Sequence, residues 1–136
     1  LNTSYIHHMS YGTAQEFLKL IDAKIDEKFW NSIKGNIKFL SDSKDWMRIC
    51  NDKVKPIIED AEYCMKITTL LPQILDENAW DKWISDIKRE TGRNGAKLFL
   101  PIRLALTGRK DGPELKKMLS FIGREKIIKR LEGNTI

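Results

Sequence analysis

The sequence predicts an all-α fold: a bundle or cage of about eight helices in two small helical subdomains. Three observations predict it. Apolar residues recur at three- and four-residue spacing along nearly the whole chain. Capping residues precede these runs, and glycines or prolines follow them. No stretch alternates long enough to make a sheet. With 136 residues and 41% hydrophobic composition, the chain can bury a substantial core.

Each element has its own justification. Thr13 followed by Glu16 is a capping-box pattern, with Phe17, Leu18, Ile21 and Ile25 as the apolar face behind it. Asp26 caps a second helix carrying Trp30, Ile33, Ile37 and Leu40. Ser43 caps a third, with Trp46, Met47 and Cys50. Pro56 suits the first turn of a fourth, running through Ile57, Ala61, Cys64, Ile67 and Leu71. Asp76 opens a fifth, with Trp80, Trp83, Ile84 and Ile87, which stops at Gly92. Asn94 caps a sixth that ends at Gly108, and Pro113 starts a seventh that ends near Gly123. The last runs from Arg124 to Leu131 and stops at Gly133. The polar connection Asn51 to Lys55 divides the chain into an N-terminal subdomain, residues 1–54, and a C-terminal one, residues 55–136.

Composition removes several function classes. Charged residues make up 32% of the chain, and no apolar run approaches the ~20 residues of a membrane-spanning helix. The first ten residues lack the basic start and apolar centre of a secretory signal. The chain begins at Leu1 rather than Met, which suggests a piece cut from something larger. Cys50 and Cys64 lack CxxC spacing or a neighbouring histidine. They read as small buried hydrophobes of a reducing, cytoplasmic protein. Adjacent His7 and His8 point in different directions on any regular element, so no metal site is expected. GxSxG, HExxH and P-loop patterns are absent, and no catalytic residue is assigned. The four tryptophans sit at helical spacing among aliphatics and read as core rather than as a base-stacking platform.

The charge is uneven. The net charge is +5, but Asp86 to Ile136 carries 13 Lys and Arg against 6 Asp and Glu, a net of +7. A basic third of this kind suits a polyanion on one side of the molecule; it also suits a solvated helical surface. The stretch Lys97 to Leu115 concentrates the interest. An apolar helix carries Arg103 in its middle and stops at Thr107-Gly108, and a basic loop, Arg109 to Pro113, leads into the next helix. Read alone, Arg103 is either a snorkelling surface residue beside a helix-punctuating Gly112-Pro113, or a rigidly held reader of an exposed base.

The same stretch resembles the C-terminal end of bacterial glutamyl-tRNA synthetases, class I glutamate–tRNA ligases. That family ends in F-x-P-(L/I)-R-x-A-(L/I)-T-G, then a loop and G-P-x-L, then a helix closed by glycine and a G-(K/R)-E-(R/K) segment. Phe99, Pro101, Ile102, Arg103, Ala105, Leu106, Thr107 and Gly108 fill the first pattern. Gly112, Pro113, Glu114 and Leu115 fill the second, and Gly123, Arg124, Glu125 and Lys126 the third, with Arg130-Leu131 beyond. Leu1, Asn2, Tyr5 and Ile6 resemble the L-N-x-x-Y-I passage from the catalytic part into the anticodon-binding part. The stretch from Thr13 to Leu75 matches in helical character alone.

The resemblance implies a helical cage that reads the anticodon loop of tRNA-Glu. It implies a base contact for Arg103 and a base pocket at Gly112, Pro113 and Leu115. Thr107 of the same motif joins the RNA-binding set, and Arg109 and Lys110 are expected on phosphates. It implies no cofactor in this chain: ATP and Mg belong to a catalytic domain with HIGH- and KMSKS-type motifs, and neither motif is present. The expected partner is tRNA, with neither DNA nor membrane, bound by a monomer. Members that separate tRNA-Glu from tRNA-Gln use an arginine in the N-terminal helices. The stretch Asp26 to Ser41 carries Lys28, Lys34 and Lys38 but no arginine, which leaves charging of tRNA-Gln open. A free-standing helical RNA-binding protein and a helical protein–protein module are the alternatives.

Overall fold

The computed structural model describes residues 3–136, so the expectation resting on Leu1 and Asn2 lies outside the described residues. Contacts divide the chain into two compact units, Leu1–Asn51 and Asp52–Ile136. Among the described residues every regular element is helical.

The first unit contains α1 (Thr3–His7), α2 (Tyr11–Leu20), α3 (Glu27–Ile33), a 3₁₀ turn (Lys34–Asn36) and α4 (Asp42–Cys50). Its core gathers Ile6, Ala14, Leu18, Trp30, Ile33, Ile37, Trp46 and Ile49. Trp30 is fully enclosed, and its indole N–H donates to Met9 O at 3.0 Å, so the ring is buried without stranding its polar atom. Two caps differ from the sequence reading. Ser10, not Thr13, caps α2, its hydroxyl accepting from Thr13 N. A cap must sit outside the helix with extended backbone, which Ser10 does at φ −69°, ψ 157°, while Thr13 already lies within the first turn. Helix α4 starts one residue before Ser43, whose hydroxyl donates to Leu40 O, while the Asp42 carboxylate accepts from Lys38 N and Phe39 N. Asp26 does cap α3, through Phe29 N. The helix that the sequence reading extended from Asp26 to Leu40 ends at Ile33 and gives way to the tighter turn around Gly35.

The second unit contains α5 (Ala61–Thr69), α6 (Ala79–Thr91), α7 (Ala96–Thr107), α8 (Leu115–Ile122) and α9 (Arg124–Leu131). Pro56 does not start a helix. Backbone bonds pull its neighbourhood out straight: Val54 exchanges two with Ile136, at 3.0 and 3.2 Å, and Ile57 N donates to Leu104 O at 3.0 Å. Helix α5 begins only at Ala61, capped by Asp60 through Tyr63 N. Likewise Gly95, at φ +58°, stands where Asn94 was expected to cap, and α8 begins at Leu115 rather than at Pro113.

Helix α7 is the axis of this unit. Leu98, Ile102, Leu104, Ala105 and Leu106 are buried along it. Pro101 lies inside this helix and has no N–H for the carbonyl four residues back, that of Lys97. Arg93 supplies the missing donor: its Nη1 reaches Lys97 O at 3.3 Å. The guanidinium also pairs with Asp60 Oδ2 at 2.6 Å through Nη2 and lies 3.8 Å from the Tyr63 ring centre, and the Tyr63 hydroxyl donates to Leu98 O. The Arg93 guanidinium bonded to it holds the Asp60 carboxyl below its ordinary value. Burial pushes the Tyr63 phenol up to about 12.

At the opposite end of α7, Arg130 is wholly buried and donates to three main-chain carbonyls. Nε bonds Ile136 O at 2.8 Å, Nη1 bonds Leu106 O at 3.0 Å, and Nη2 reaches Asp52 O at 3.4 Å. Arginine suits this position because its planar fork carries several donors at fixed angles.

Candidate nucleic-acid interface

The turn after α7 is set by one glycine and one hydroxyl. Gly108 is left-handed at φ +72°, and its N–H closes the helix onto Leu104 O. A Cβ there would lie 2.9 Å from Lys55 O, so chain crowding and backbone conformation both select glycine. Thr107 is fully buried. Its hydroxyl lies 2.8 Å from Arg103 O and 3.1 Å from Arg109 O, and it accepts from Arg109 N–H at 3.2 Å. Thr107 therefore sits beneath the surface and shapes the loop that follows.

Arg103 projects from α7 toward the returning loop. Its Nη2 donates to Pro113 O at 3.0 Å. Its Nη1 is buried and has no hydrogen-bond partner. A Cβ on Gly112, whose φ is +138°, would come within 3.3 Å of that nitrogen. The side chain is thus half-buried under the loop rather than ending free at the surface. Burial lowers its pKa and Asp111 opposes the shift; a guanidinium remains a cation at neutral pH.

Beside Arg103 opens a cavity of about 290 Å³ lined by Trp80, Phe99, Arg103, Glu114, Leu115 and Lys116. Trp80 and Phe99 form one wall, stacked with ring centres 6.2 Å apart and planes 20° apart. Trp83 meets the edge of this pair, 6.0 Å from Trp80 at 77°. Leu115 adds an apolar contact. Lys116 is engaged by Asp81, whose carboxylate oxygens lie 3.2 and 3.3 Å from its ammonium. The cavity therefore combines an aromatic wall, a half-buried cation and an acidic residue. Those are the parts that hold a planar ring by its face and its polar edge.

Arg103 and Leu115 line the cavity, Gly112 and Pro113 form the strap against Arg103, and Arg109 and Lys110 stand exposed on the loop. Sequence reasoning missed Trp80 and Phe99 as surface aromatics. Trp30, Trp46 and Trp83 are core, as their spacing suggested, but Trp80 is half-exposed and Phe99 is 38% exposed. A signal for Phe99 was present: it lies four residues before Arg103, on the same helix face.

Other features fit structural roles. Cys50 and Cys64 are buried and take part in no disulfide. Among the described residues no three His, Cys, Asp or Glu side chains gather as a metal site, and no helix is long and apolar enough to cross a membrane. A wider groove of about 850 Å³ runs along the other side of α7, past Asp60, Arg93 and Lys97. Its charged wall is occupied by the Arg93–Asp60 pair.

Comparison with known proteins gives one consistent family. The model of the anticodon binding domain matches residues 11–134. Glutamate–tRNA ligase 1 of Parvibaculum lavamentivorans is 41% identical over 136 residues, covering 99% of this chain and 30% of that protein. Glutamate–tRNA ligase 1 of Rickettsia prowazekii is 45% identical over 134 residues, covering 96% and 30%. The chain thus spans about 30% of the length of the curated relatives it matches. A crystal structure of a glutamate tRNA ligase from Elizabethkingia meningosepticum, in complex with its amino acid, superposes with a TM-score of 0.65. It covers 96% of this chain and 30% of that one at 18% identity, and so shares the fold.

Proposed function

The chain belongs to the anticodon-binding domain family, and from that membership we propose that it is the anticodon-reading part of a glutamate–tRNA ligase. The observation that carries the proposal is the cavity lined by the Trp80–Phe99 wall, Arg103 and Leu115, with the Gly112-Pro113 strap against Arg103. A base turned out of the anticodon loop stacks on the aromatic wall or on Leu115, with the half-buried cation of Arg103 beside it. Arg109 and Lys110 neutralise phosphates beside it, drawn by the +7 charge of the last 51 residues. Thr107 contributes by fixing the loop's path. The parent enzyme supplies ATP, Mg and glutamate chemistry from a catalytic part to which nothing in this chain corresponds. Its product is tRNA-Glu charged with glutamate; tRNA-Gln becomes a second substrate if the last anticodon base is read loosely. The chain works as a monomer in the cytoplasm, where its two buried thiols stay reduced.

The test is a titration of this chain with full tRNA-Glu, with its anticodon stem-loop and with a non-cognate tRNA. The expected result is weak, similar affinity for tRNA-Glu and its stem-loop, since the avidity of a second, catalytic contact is missing. Arg103→Ala should weaken cognate binding by about 1–3 kcal/mol. No binding to any tRNA at low salt would overturn the proposal. Loss of binding in parallel with unfolding would make Arg103 structural.

A further inference from the structure

Helix α7 carries Pro101 near its middle, and the two residues that it contributes to the candidate site, Phe99 and Arg103, lie on either side of that proline. A proline inside a helix removes one backbone bond and crowds the carbonyl four residues back, so the helix bends or loosens there. The far half of α7 is held by its own partners: Ile57 N donates to Leu104 O at 3.0 Å, and Arg130 Nη1 donates to Leu106 O at 3.0 Å. The near half is held by a different set. Arg93 Nη1 donates to Lys97 O, the carbonyl that Pro101 leaves without its donor, and the Tyr63 hydroxyl donates to the next carbonyl, Leu98 O, at 3.0 Å.

Folding alone does not call for so constrained a donor. Lys97 is exposed, and water satisfies an exposed helix carbonyl. A water follows whatever direction the helix takes, whereas Arg93 has little freedom to follow. Its Nη2 is tied to Asp60 Oδ2 at 2.6 Å, its guanidinium lies 3.8 Å from the Tyr63 ring centre, and its backbone N–H donates to the Thr91 hydroxyl at 3.2 Å. A planar fork bonded at both ends fixes a direction in a way that a single rotatable donor does not. Asp60 also caps α5 through Tyr63 N, so the donor aimed at Lys97 O is referred to the start of a second helix. Arg93 lines the wider groove and not the cavity, so its influence on the site runs through α7.

We propose that Arg93 is a positioning residue for anticodon reading: pinned by Asp60 and Tyr63, it donates to Lys97 O in place of the N–H that Pro101 lacks, and so fixes the angle between the two halves of α7 and the placement of Phe99 relative to Arg103. The inference rests on the anticodon-reading function proposed above. A change of angle at Pro101 moves the aromatic wall against the cation without altering either side chain, and recognition of a planar ring depends on that spacing.

The test compares the native chain with Arg93→Met, Arg93→Lys and Pro101→Ala, and with Arg93→Met in the Pro101→Ala background, each at a temperature where circular dichroism shows it folded. The probes are the anticodon stem-loop of tRNA-Glu and the same stem-loop with its anticodon bases replaced. Arg93→Met should weaken the cognate stem-loop by about three- to thirtyfold, within the range of coupling between side chains in contact, and leave the replaced one nearly unchanged. Arg93→Lys keeps the charge but not the fork, and should show part of the same loss. Pro101→Ala returns an N–H for Lys97 O, so in that background Arg93→Met should cost about twofold or less. Should Arg93→Met fail to fold, Asp60→Asn, which releases one end of the fork and keeps the arginine, carries the same comparison. Cognate binding unchanged by Arg93→Met in the folded chain would make Arg93 structural. Equal weakening of both stem-loops, or native affinity in Arg93→Lys, would make it a charge alone. The same loss in both backgrounds would cut the link to Pro101. Each of these would overturn the role of Arg93 while leaving the anticodon reading standing. Failure of the native chain to bind either stem-loop, or to prefer the cognate one, would overturn both.

Discussion

Gly92 and Gly108 offer a matched pair. Both end a long helix in the left-handed conformation, at φ +71°, ψ 4° and φ +72°, ψ 11°. Alanine at either position carries the same intrinsic penalty, about 1–2 kcal/mol for a left-handed L-residue. A smaller unfolded-state gain of about 0.4–1 kcal/mol offsets it. What differs is the space. Around Gly92 an added Cβ meets nothing within 4 Å, whereas at Gly108 it meets Lys55 O at 2.9 Å. That carbonyl cannot slide away cheaply, because Val54 is tied twice to Ile136 and Ile57 is tied to Leu104. Forcing backbone apart in a packed region costs a further ~1–3 kcal/mol. Gly92→Ala should therefore lose about 1 kcal/mol and Gly108→Ala about 2–4 kcal/mol. Urea unfolding followed by far-UV circular dichroism, with the slopes compared, reads both. Equal losses would refute the reasoning, since they would leave the left-handed conformation as the whole effect and the Lys55 contact as nothing. Gly108→Ala should also weaken tRNA binding more than Gly92→Ala, because the displaced residues lead directly into the basic loop.

Three more outcomes follow from the same geometry. Asp60 is held below its ordinary value in the folded chain, so its pairing with Arg93 stabilises the fold above about pH 4 and is lost as pH falls through the lowered value; Asp60→Asn should lower stability at neutral pH and flatten the acid side of a stability–pH curve. Arg130→Met keeps the length of the side chain, deprives the Leu106 carbonyl of its arginine donor and leaves Ile136 O with Val54 N–H alone, for an expected loss of roughly 2–4 kcal/mol by urea unfolding; a neutral result would mean that burying the cation costs as much as its bonds contribute. Arg109→Gln and Lys110→Gln should each weaken cognate and non-cognate tRNA alike and reduce the salt dependence of binding by about one unit of slope; loss confined to cognate tRNA with an unchanged slope would assign these residues to bases.

Much of the helical architecture was legible, because apolar spacing reports burial directly: Trp30, Ile33, Trp83 and Ile87 lie where their period places them. Helix starts were less legible. Thr13, Ser43 and Asn94 carry the right side chains for caps, but a cap is chosen by backbone conformation, which local sequence leaves undecided among neighbours such as Ser10 and Gly95. Pro56 misled for a different reason: the bonds that straighten its surroundings come from Ile136 and Leu104, far along the chain. Within the candidate site, Arg103 and the Gly112-Pro113 loop announced themselves in the sequence. Trp80 did not, since its spacing matches that of the buried Trp83, and only the neighbouring Phe99 shows which side of the helix it faces.

The bond between Arg103 and Pro113 has a consequence for timing. A long arginine on an open surface must be caught in one rotamer as its ligand arrives, and a loop that closes afterwards adds a slow step to association. Here one amino group of the guanidinium already grips the strap, and the other waits beneath Gly112. The freedom that recognition ordinarily removes is removed during folding. Under the proposed anticodon reading, encounter is then expected to follow charge and diffusion, and discrimination to lie in how long a tRNA stays.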